Sequence, residues 1–291
     1  MTPEFRAKVD AFGRELTPEL LGGTSMMMAG LFEWMDPRTI EVEDQSYGPD
    51  PRHRLDVYYQ QNLENAPVFV FVHGGGFVMG DKRNPAPSPF YRNVGDFAAR
   101  QGWVGVVPTY PLAPDHPWPA GPEAVRGVVE WIRQHAAEFG GDPDRIVLSG
   151  QSAGAVHVGG YVAHAKYHAV RGAGVRGALL MSGIFDTTVA RPGEGPHPYY
   201  GSNPATFVKA NCLPGLLSTQ VPLCFTVSEF DAAMFQDEAA RVAGAWGQAK
   251  GTYPEMHYLV GHNHLTPSQS LGSPVKDVEA LVADFVRRVT V

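Results

Sequence analysis

The sequence has few cysteines, few basic residues and no long apolar run. Only 2 of its 291 residues are cysteines, which are too few for the disulfide framework of a small secreted domain. Its 23 Lys and Arg against 30 Asp and Glu give a net charge of −7, so the chain lacks the electrostatic footprint of a nucleic-acid-binding protein. No run of about 18 apolar residues occurs, and therefore no membrane-spanning helix is expected.

The first residues also lack the features of a targeting signal. Residues 1–8 show neither the apolar segment nor the cleavage site of a secretory signal peptide. We therefore expect a cytoplasmic protein that binds neither nucleic acid nor membranes. The sequence leaves open whether it forms a homodimer.

Short runs rich in β-branched residues alternate with longer helical patterns along the chain. This alternation predicts an α/β fold, with a mostly parallel sheet and helices on both faces. Strands are predicted at 40–47, 52–59, 68–72, 103–107, 145–149, 178–181, 223–227 and 256–260. The first two are predicted to form a half-exposed antiparallel hairpin at the sheet edge, because apolar and polar residues alternate in them.

Helices are predicted over 123–139 and 274–289, where apolar residues recur at helical spacing. Two segments differ from the rest. Residues 1–39 predict one or two helices, whereas residues 186–220 are rich in Gly, Pro and aromatics and show little periodicity. Long irregular segments often form lids or substrate-binding regions. We therefore expect one domain spanning 1–291, in which 1–39 and 186–220 form a small cap.

The sequence Gly150-Gln151-Ser152-Ala153-Gly154 matches the pattern G-x-S-x-G. It follows a predicted strand and opens a helix, which is the context of a nucleophile elbow. Small residues on both sides of Ser152 permit the sharp turn, and the helix N-terminus favours a developing negative charge. We predict that Ser152 is a nucleophile; the alternative is a capping serine in a glycine-rich turn.

A second glycine-rich loop, His73-Gly74-Gly75-Gly76-Phe77, follows the most apolar strand. Backbone N–H groups of Gly74, Gly75 and Gly76, together with that of Ala153, are predicted to bind the oxyanion of a tetrahedral intermediate. His73 is expected to be structural. The loop lacks the phosphate-binding patterns G-x-x-x-x-G-K-[ST] and G-x-G-x-x-G, so a nucleotide site is not expected.

These two motifs occur with two further segments in a fixed order. The segments are Tyr-Pro-Leu-Ala-Pro-Asp-His-Pro-Trp-Pro-Ala at 110–120 and Phe-Gly-Gly-Asp-Pro-Asp-Arg-Ile at 139–146. Over roughly 50–290 the chain resembles the hormone-sensitive-lipase-like branch of the α/β-hydrolase esterases. The resemblance implies an α/β-hydrolase fold and a serine hydrolase that needs no metal or organic cofactor. Gln151 departs from this branch, which usually has Asp at that position.

The resemblance also implies an acid and a base that follow Ser152 in the chain. Asp231 matches the family's Asp and follows the penultimate predicted strand. Two other carboxylates are alternatives: Glu229 lies in the same loop, and Asp186 follows the preceding strand.

The base is expected after the last predicted strand, in Gly261-His262-Asn263-His264. The family's usual pattern of a Gly, two residues and then His maps the base onto His264. The alternative is His262.

Three further histidines follow Ser152 at helical spacing. His157, His164 and His168 share one predicted helix stripe with Tyr161. The Glu of the zinc-binding pattern H-E-x-x-H is missing, so we expect a polar or partly packed helix face and no metal site.

The resemblance implies hydrolysis of small-molecule carboxylic esters with short- to medium-chain acyl groups or aromatic alcohols, through an acyl-enzyme. Arylformamidase or amidase activity with the same triad is the closest alternative. A non-catalytic receptor on this fold is a weaker one, since Ser, Asp and His are all present in the right order. The candidate substrate-pocket residues are Met28, Trp34, Phe77, Tyr199, Tyr200 and Phe207.

Overall fold

A computed structural model describes residues 2–32, 35–189 and 196–291. Within them, eight strands form one sheet in the order β1-β2-β4-β3-β5-β6-β7-β8. The strands are β1 (Ile40–Ser46), β2 (Arg54–Tyr59), β3 (Ala66–Val72), β4 (Val104–Pro108), β5 (Gly141–Gln151), β6 (Gly177–Met181), β7 (Leu223–Phe230) and β8 (Glu255–Asn263). The β1–β2 and β2–β4 pairs are antiparallel, and the other pairs are parallel. The predicted mostly parallel sheet is therefore confirmed.

Helices cover both faces of this sheet. They are α1 (Pro3–Asp10), α2 (Pro18–Ala29), α3 (Arg92–Arg100), α4 (Ala120–His135), α5 (Ala153–Ala163), α6 (Pro204–Ala210), α7 (Leu213–Ser218), α8 (Ala233–Lys250), α9 (Thr266–Ser270) and α10 (Asp277–Val289). None of the helices in the described ranges combines the length and apolar character needed to cross a bilayer.

The core consists of two apolar layers, one on each face of the sheet. On one face, Val125 and Val129 of α4 and Val158 of α5 pack against the strands. On the other, Phe97 of α3 and Phe285 of α10 do the same. Each such side chain stabilises the fold by roughly 1.5–3 kcal/mol when fully buried. Because β3 lies between both layers, its sequence is continuously apolar, and β5 is apolar over residues 146–148.

The predicted half-exposed hairpin is wrong for its second strand. The edge strand is β1 alone, because β2 also pairs with β4. Asp56 and Tyr58, which alternate in β2 with the apolar Leu55 and Val57, are also fully buried. Arg83 Nη1 lies 2.9 Å from Asp56 Oδ2, and the Tyr58 ring packs against Gly95 of α3. The outer face of β2 is therefore covered, which the alternating pattern did not reveal.

Several element boundaries also differ from the prediction. The predicted helix 123–139 begins earlier, at Ala120, and its last turn, Ala136–Phe139, is a 3₁₀ helix. The predicted helix 274–289 begins later, at Asp277. Residues 1–39 contain the two helices α1 and α2, and the segment 186–220, predicted to be irregular, contains the short helices α6 and α7.

The parallel strands place the chemistry at one edge of the sheet. Ser152 follows β5, Asp231 follows β7 and His264 follows β8, each as the next residue after the strand. The carboxyl ends of neighbouring parallel strands meet at the same edge, which is where α/β proteins bind their ligands.

Candidate active site

Ser152 lies in a tight turn between β5 and α5. Its backbone has φ 56° and ψ −123°, an unfavourable conformation for a residue with a Cβ atom. The turn brings the backbone against β3: a Cβ atom on Gly154 would lie 2.1 Å from the Val72 carbonyl oxygen. The Ser152 N–H donates to the Met181 carbonyl at 2.8 Å, which ties the turn to the end of β6. The strained turn leaves the Ser152 side chain partly exposed.

The second glycine-rich loop lies directly against this turn. A Cβ atom on Gly74 would lie 3.2 Å from Ser152 Cβ. Gly75 has φ 125°, a backbone conformation that residues with a side chain rarely adopt. Within the described residues, the N–H groups of Gly75 and Gly76 donate to no acceptor, and Ala153 opens α5 with an unused N–H. These three N–H groups are therefore free to bind an anionic oxygen.

The buried side chain of His73 packs against the glycine-rich loop and against Tyr110. Its Nδ1 lies 2.7 Å from the Gly74 carbonyl oxygen, and its ring stacks on Tyr110 at 4.4 Å between centroids. Burial lowers the pKa of His73 to about 4. His73 is thus a neutral histidine that packs within the fold, as its predicted structural role requires.

Asp231 and His264 form a buried pair. His264 Nδ1 lies 2.7 Å from Asp231 Oδ1, and Asp231 is fully buried. Asp231 Oδ2 accepts two hydrogen bonds, from Ser182 Oγ and from the Ser228 N–H, each at 2.7 Å. Both carboxylate oxygens are therefore bound, and Asp231 fixes the tautomer and the orientation of the imidazole.

His264 is held from two further sides. The Phe235 ring stacks on the imidazole at 4.2 Å between centroids, and Gln151 Nε2 donates to the His264 backbone carbonyl. Its Nε2 is buried and has no hydrogen-bond partner in the described part of the chain. The hydrogen bond expected between Ser152 Oγ and this nitrogen is therefore not formed. Catalytic hydrogen bonds are often loose in the free enzyme and tighten when substrate binds.

Gln151 connects the turn of the nucleophile to the loop of the base. In addition to its bond to His264, its Oε1 accepts a hydrogen bond from Ser268 Oγ of α9. The side chain is 2% exposed. This residue departs from the family pattern, and its amide supplies both a donor and an acceptor where a carboxylate would supply only acceptors.

The two alternative acids, Glu229 and Asp186, form hydrogen bonds with partners other than His264. Glu229 accepts hydrogen bonds from Arg6 Nε at 3.0 Å and from the Gly261 N–H at 2.7 Å. The hydrogen bond from Arg6 lowers the pKa of Glu229. Asp186 accepts from the Thr188 N–H and from Asn211 Nδ2, each at 3.1 Å. Neither carboxylate contacts His264.

The alternative base, His262, is also occupied by other partners. Its Nδ1 lies 3.0 Å from Thr266 Oγ1, and its Nε2 lies 3.1 Å from Asp277 Oδ2. Burial raises the pKa of Asp277, but the hydrogen bond and charge of His262, together with the Val278 N–H, outweigh it and lower this pKa overall. His262 therefore links β8 to the start of α10, away from Asp231.

The predicted histidine stripe is wrong in its extent and exposure. Helix α5 ends at Ala163, so His164 is its last flanking residue and His168 lies beyond it. His157 is buried, not on a polar face, and burial lowers its pKa to about 3. Its Nδ1 lies 3.4 Å from the Tyr199 hydroxyl. These histidines point to different neighbours and do not form one cluster.

Four of the six candidate pocket residues form a compact aromatic group beside the glycine-rich loop. Phe77 stacks on Tyr199 at 4.4 Å between centroids, with the rings 2° from parallel. Tyr200 and Phe207 pack onto the same group and are 6% exposed. Met28 is fully buried in α2. The remaining candidate, Trp34, lies outside the described residues.

One group of possible metal ligands lies away from this edge of the sheet. Potential ligand atoms of Cys224, Glu255 and His257 lie within 4.8 Å of one another, at the starts of β7 and β8. Arg288 Nη2 is already 2.5 Å from Glu255 Oε1. The guanidinium places a positive charge where a cation would bind, and we interpret the group as an ion pair beside a buried thiol.

Sequence reasoning missed three residues that contact the acid and the base. Ser182 and Phe235 reach Asp231 and His264 only after the sheet has formed, whereas Ser228 contacts Asp231 within a turn of three residues. The separation between Ser182 and Asp231 is 49 residues, and no pattern in the sequence marks it. Phe235 lies in the first turn of α8, four residues after Asp231.

Comparison with known proteins agrees with this architecture. Residues 69–206 match a family model described as alpha/beta hydrolase fold. This range contains the glycine-rich loop and the Ser152 turn and ends before Asp231 and His264. The whole chain superimposes on a hyperthermophilic esterase from the archaeon Pyrobaculum calidifontis, with a TM-score of 0.73 and 20% identity over 98% of that chain. Esterase B from Lactobacillus rhamnosis gives a TM-score of 0.74 at 16% identity, over 98% of this chain and 97% of that one.

Curated relatives match a shorter stretch at higher identity. Carboxylesterase NlhH of Mycobacterium tuberculosis is 41% identical over 118 residues, which are 40% of this chain and 35% of that protein. Esterase LipC of the same organism is 36% identical over 110 residues, 37% of this chain and 26% of that one. The chain thus spans about a third or less of the length of these relatives. The protein therefore has the α/β-hydrolase fold, and its residues 69–206 match the family model of that fold.

Proposed function

We propose that the protein is a serine carboxylesterase that hydrolyses short- to medium-chain or aromatic carboxylic esters through an acyl-enzyme. The observation that carries the proposal is the buried Asp231–His264 pair beside the strained Ser152 turn. On the other side of Ser152 lies a loop with unused N–H groups. The relatives named carboxylesterase and esterase support the same reaction.

In the first half-reaction, Ser152 Oγ attacks the acyl carbon of the ester while His264 Nε2 takes the hydroxyl proton. The N–H groups of Gly75, Gly76 and Ala153 bind the oxygen that becomes negative, and the N–H of Gly74 adjoins them. Each such donor contributes about 3 kcal/mol to stabilising the transition state. His264 then passes the proton to the leaving alcohol, and the acyl group remains on Ser152.

Water completes the second half-reaction by the same groups. His264 Nε2 takes a proton from water, whose oxygen attacks the acyl carbon. Collapse of the intermediate returns the proton to Ser152 Oγ and releases the acid. Asp231 stays ionised and stabilises the imidazolium in both steps. The buried, unpartnered Nε2 of His264 supports this role, since it has no competing acceptor or donor.

We also propose that the segments 1–39 and 186–220 form a cap over the acyl pocket of a single domain spanning 1–291. Two contacts of α2 support this role for the first segment. Thr24 accepts from Asn263 Nδ2 at 2.8 Å, and Ser25 accepts from Gln269 Nε2 at 2.9 Å. Both contacts flank the loop that carries His264. For the second segment, the support is the packing of Tyr199 on Phe77.

A reducing compartment such as the cytoplasm fits the two cysteines. Cys212 and Cys224 are both buried as free thiols. Burial raises the pKa of Cys212 to about 12, so its thiol is unreactive.

Hydrolysis of p-nitrophenyl acetate and butyrate tests the proposed reaction. We expect the purified protein to hydrolyse both and Ser152→Ala to retain less than about a thousandth of the activity. A chain-length series of esters, with an aryl formamide as an added substrate, defines the acyl preference. An alanine variant as active as the wild type is incompatible with the mechanism, and a formamide turned over faster than every ester favours an arylformamidase.

The two histidines of the last loop provide a matched pair for the base. We expect His264→Ala to lose activity to the same degree as Ser152→Ala, because no other base pairs with Asp231. His262→Ala should fold less stably through loss of its contacts to Thr266 and Asp277. Activity that disappears only in the His262 variant would show that the assignment is reversed.

A further inference from the structure

Ser182 lies between the elements that carry the nucleophile and the acid. It is the residue directly after β6, and its N–H donates to the Thr226 carbonyl of β7 at 2.9 Å. Its predecessor, Met181, accepts the Ser152 N–H at 2.8 Å. The end of β6 is therefore hydrogen-bonded both to the Ser152 turn and to the strand that leads to Asp231.

The backbone of Ser182 adopts a conformation that its own side chain disfavours. Its φ is +47°, in the left-handed region that residues with a Cβ atom seldom occupy. Such conformations persist only where the surrounding structure fixes them, and they cluster at functional sites. Glycine would relieve the strain at this position but has no hydroxyl group.

The hydroxyl of Ser182 has one specific partner. Ser182 Oγ donates to Asp231 Oδ2 at 2.7 Å, and both residues are buried, with Ser182 3% exposed. Asp231 Oδ1 is thereby left to face His264 Nδ1. Without the hydroxyl, only the Ser228 N–H would hold Oδ2, and a single donor does not stop the carboxylate from rotating.

We propose that Ser182 is a positioning residue for the acid: its hydroxyl fixes the plane of the Asp231 carboxylate so that Asp231 orients His264. This inference rests on the proposed function, since its effect on turnover is transmitted through the proposed acid and base. The strained backbone of Ser182 is what aims the hydroxyl at Oδ2, and Met181 couples the same strand end to Ser152.

Four variants test this role. Ser182→Ala removes the hydroxyl and keeps the strain, whereas Ser182→Gly removes both. Ser182→Thr restores a hydroxyl. Thr226→Val is the matched control, because the Thr226 hydroxyl on the neighbouring strand is also buried but has no hydrogen-bond partner in the described residues, and valine keeps the shape of the side chain.

Turnover of a p-nitrophenyl ester is the first measurement. We expect kcat to fall roughly 10- to 100-fold in Ser182→Ala and Ser182→Gly, the range for a hydrogen bond to a charged group, with KM unchanged. Ser182→Thr should recover most of the loss, and Thr226→Val should differ from the wild type by less than about twofold. Thermal unfolding checks that each variant is folded.

The low-field proton resonance of the His264 Nδ1–H is the second measurement, and it does not depend on turnover. We expect it to shift or broaden in Ser182→Ala and Ser182→Gly and to stay in place in Thr226→Val. An unchanged resonance or an unchanged kcat in both Ser182 variants overturns the inference, as does an equal loss in the Thr226 variant. If neither Ser182 variant folds, the residue serves the fold instead, which also overturns it. A wild-type protein that hydrolyses no ester refutes the proposed function, and the resonance alone then decides about Ser182.

Discussion

Gln151 provides the most direct test of how the nucleophile and the base are kept in register. Its amide donates to the His264 carbonyl and accepts from Ser268 Oγ, and the side chain is buried. The change Gln151→Met keeps nearly the same volume and removes both hydrogen bonds. It leaves the His264 carbonyl buried without a donor, which costs about 1–3 kcal/mol. The Ser268 hydroxyl loses less, because the Leu265 carbonyl lies 3.3 Å away as a second acceptor.

We therefore expect the free energy of unfolding to fall by about 2 kcal/mol in Gln151→Met. Urea denaturation measures this change directly. Release of the His264 backbone should also lower kcat/KM by about tenfold, which corresponds to roughly 1.4 kcal/mol. Ester hydrolysis with the same protein preparation measures this second effect.

A double-mutant cycle separates the two hydrogen bonds of Gln151. Ser268→Ala alone should cost less than Gln151→Met, and the double variant should cost less than the sum, with a coupling of about 0.5–1 kcal/mol. Gln269→Met is the matched control: Gln269 is also buried, but it donates to Ser25 and does not contact the Ser152 turn. It should lose stability without losing activity. Wild-type stability together with wild-type kcat/KM in Gln151→Met would refute the reasoning.

Three further predictions concern the surroundings of the site. Because burial lowers the pKa of His73 to about 4 and of His157 to about 3, the unfolded state binds more protons below pH 6.5, and stability is lost as the pH falls. We expect each histidine to lower the free energy of unfolding by about 2 kcal/mol between pH 7 and pH 4.5, as measured by urea denaturation. The free energy of unfolding should fall less over this range in His157→Gln. An equal slope in that variant would contradict the assignment. Gly74→Ala places a Cβ atom 3.1 Å from the Gln151 carbonyl oxygen and should lower kcat tenfold or more, with little change in KM. An active Gly74→Ala enzyme would show that the loop is not part of the oxyanion site. Phe235→Leu removes the ring that stacks on His264 and should lower kcat several-fold while costing less than about 1.5 kcal/mol of stability, which steady-state kinetics and thermal unfolding can separate.

Local sequence rules were sufficient for the elements with the strongest patterns. The continuous apolar runs predicted β3 and β6 within two residues of their observed bounds, because a strand buried on both faces tolerates few polar side chains. The G-x-S-x-G pattern located the Ser152 turn, since only small residues fit where Gly154 meets the Val72 carbonyl. In these places the requirement is local, and the sequence therefore carries it.

The same rules failed where a neighbour distant in sequence decides burial. The alternation of β2 predicted an exposed face, but Arg83 and α3 cover that face and supply partners for its polar groups. Helical spacing placed His157 on a predicted polar or partly packed helix face, but it is buried against Tyr199 and Phe77. Nothing in the residues around either position indicates which distant side chain will arrive there.

The order of strands and helices along the chain, the Ser152 turn and the glycine-rich loop all follow from local sequence patterns, because they depend on contacts between residues close in the chain. The resemblance to a family then singled out Asp231 and His264 from among their rivals. The groups that hold these two residues became visible in the folded chain: Ser182 lies 49 residues before Asp231, and Gln151 lies 113 residues before His264. No local sequence pattern marks a hydrogen bond at such a separation, because the bond forms only when parallel strands have brought their carboxyl ends to the same edge of the sheet.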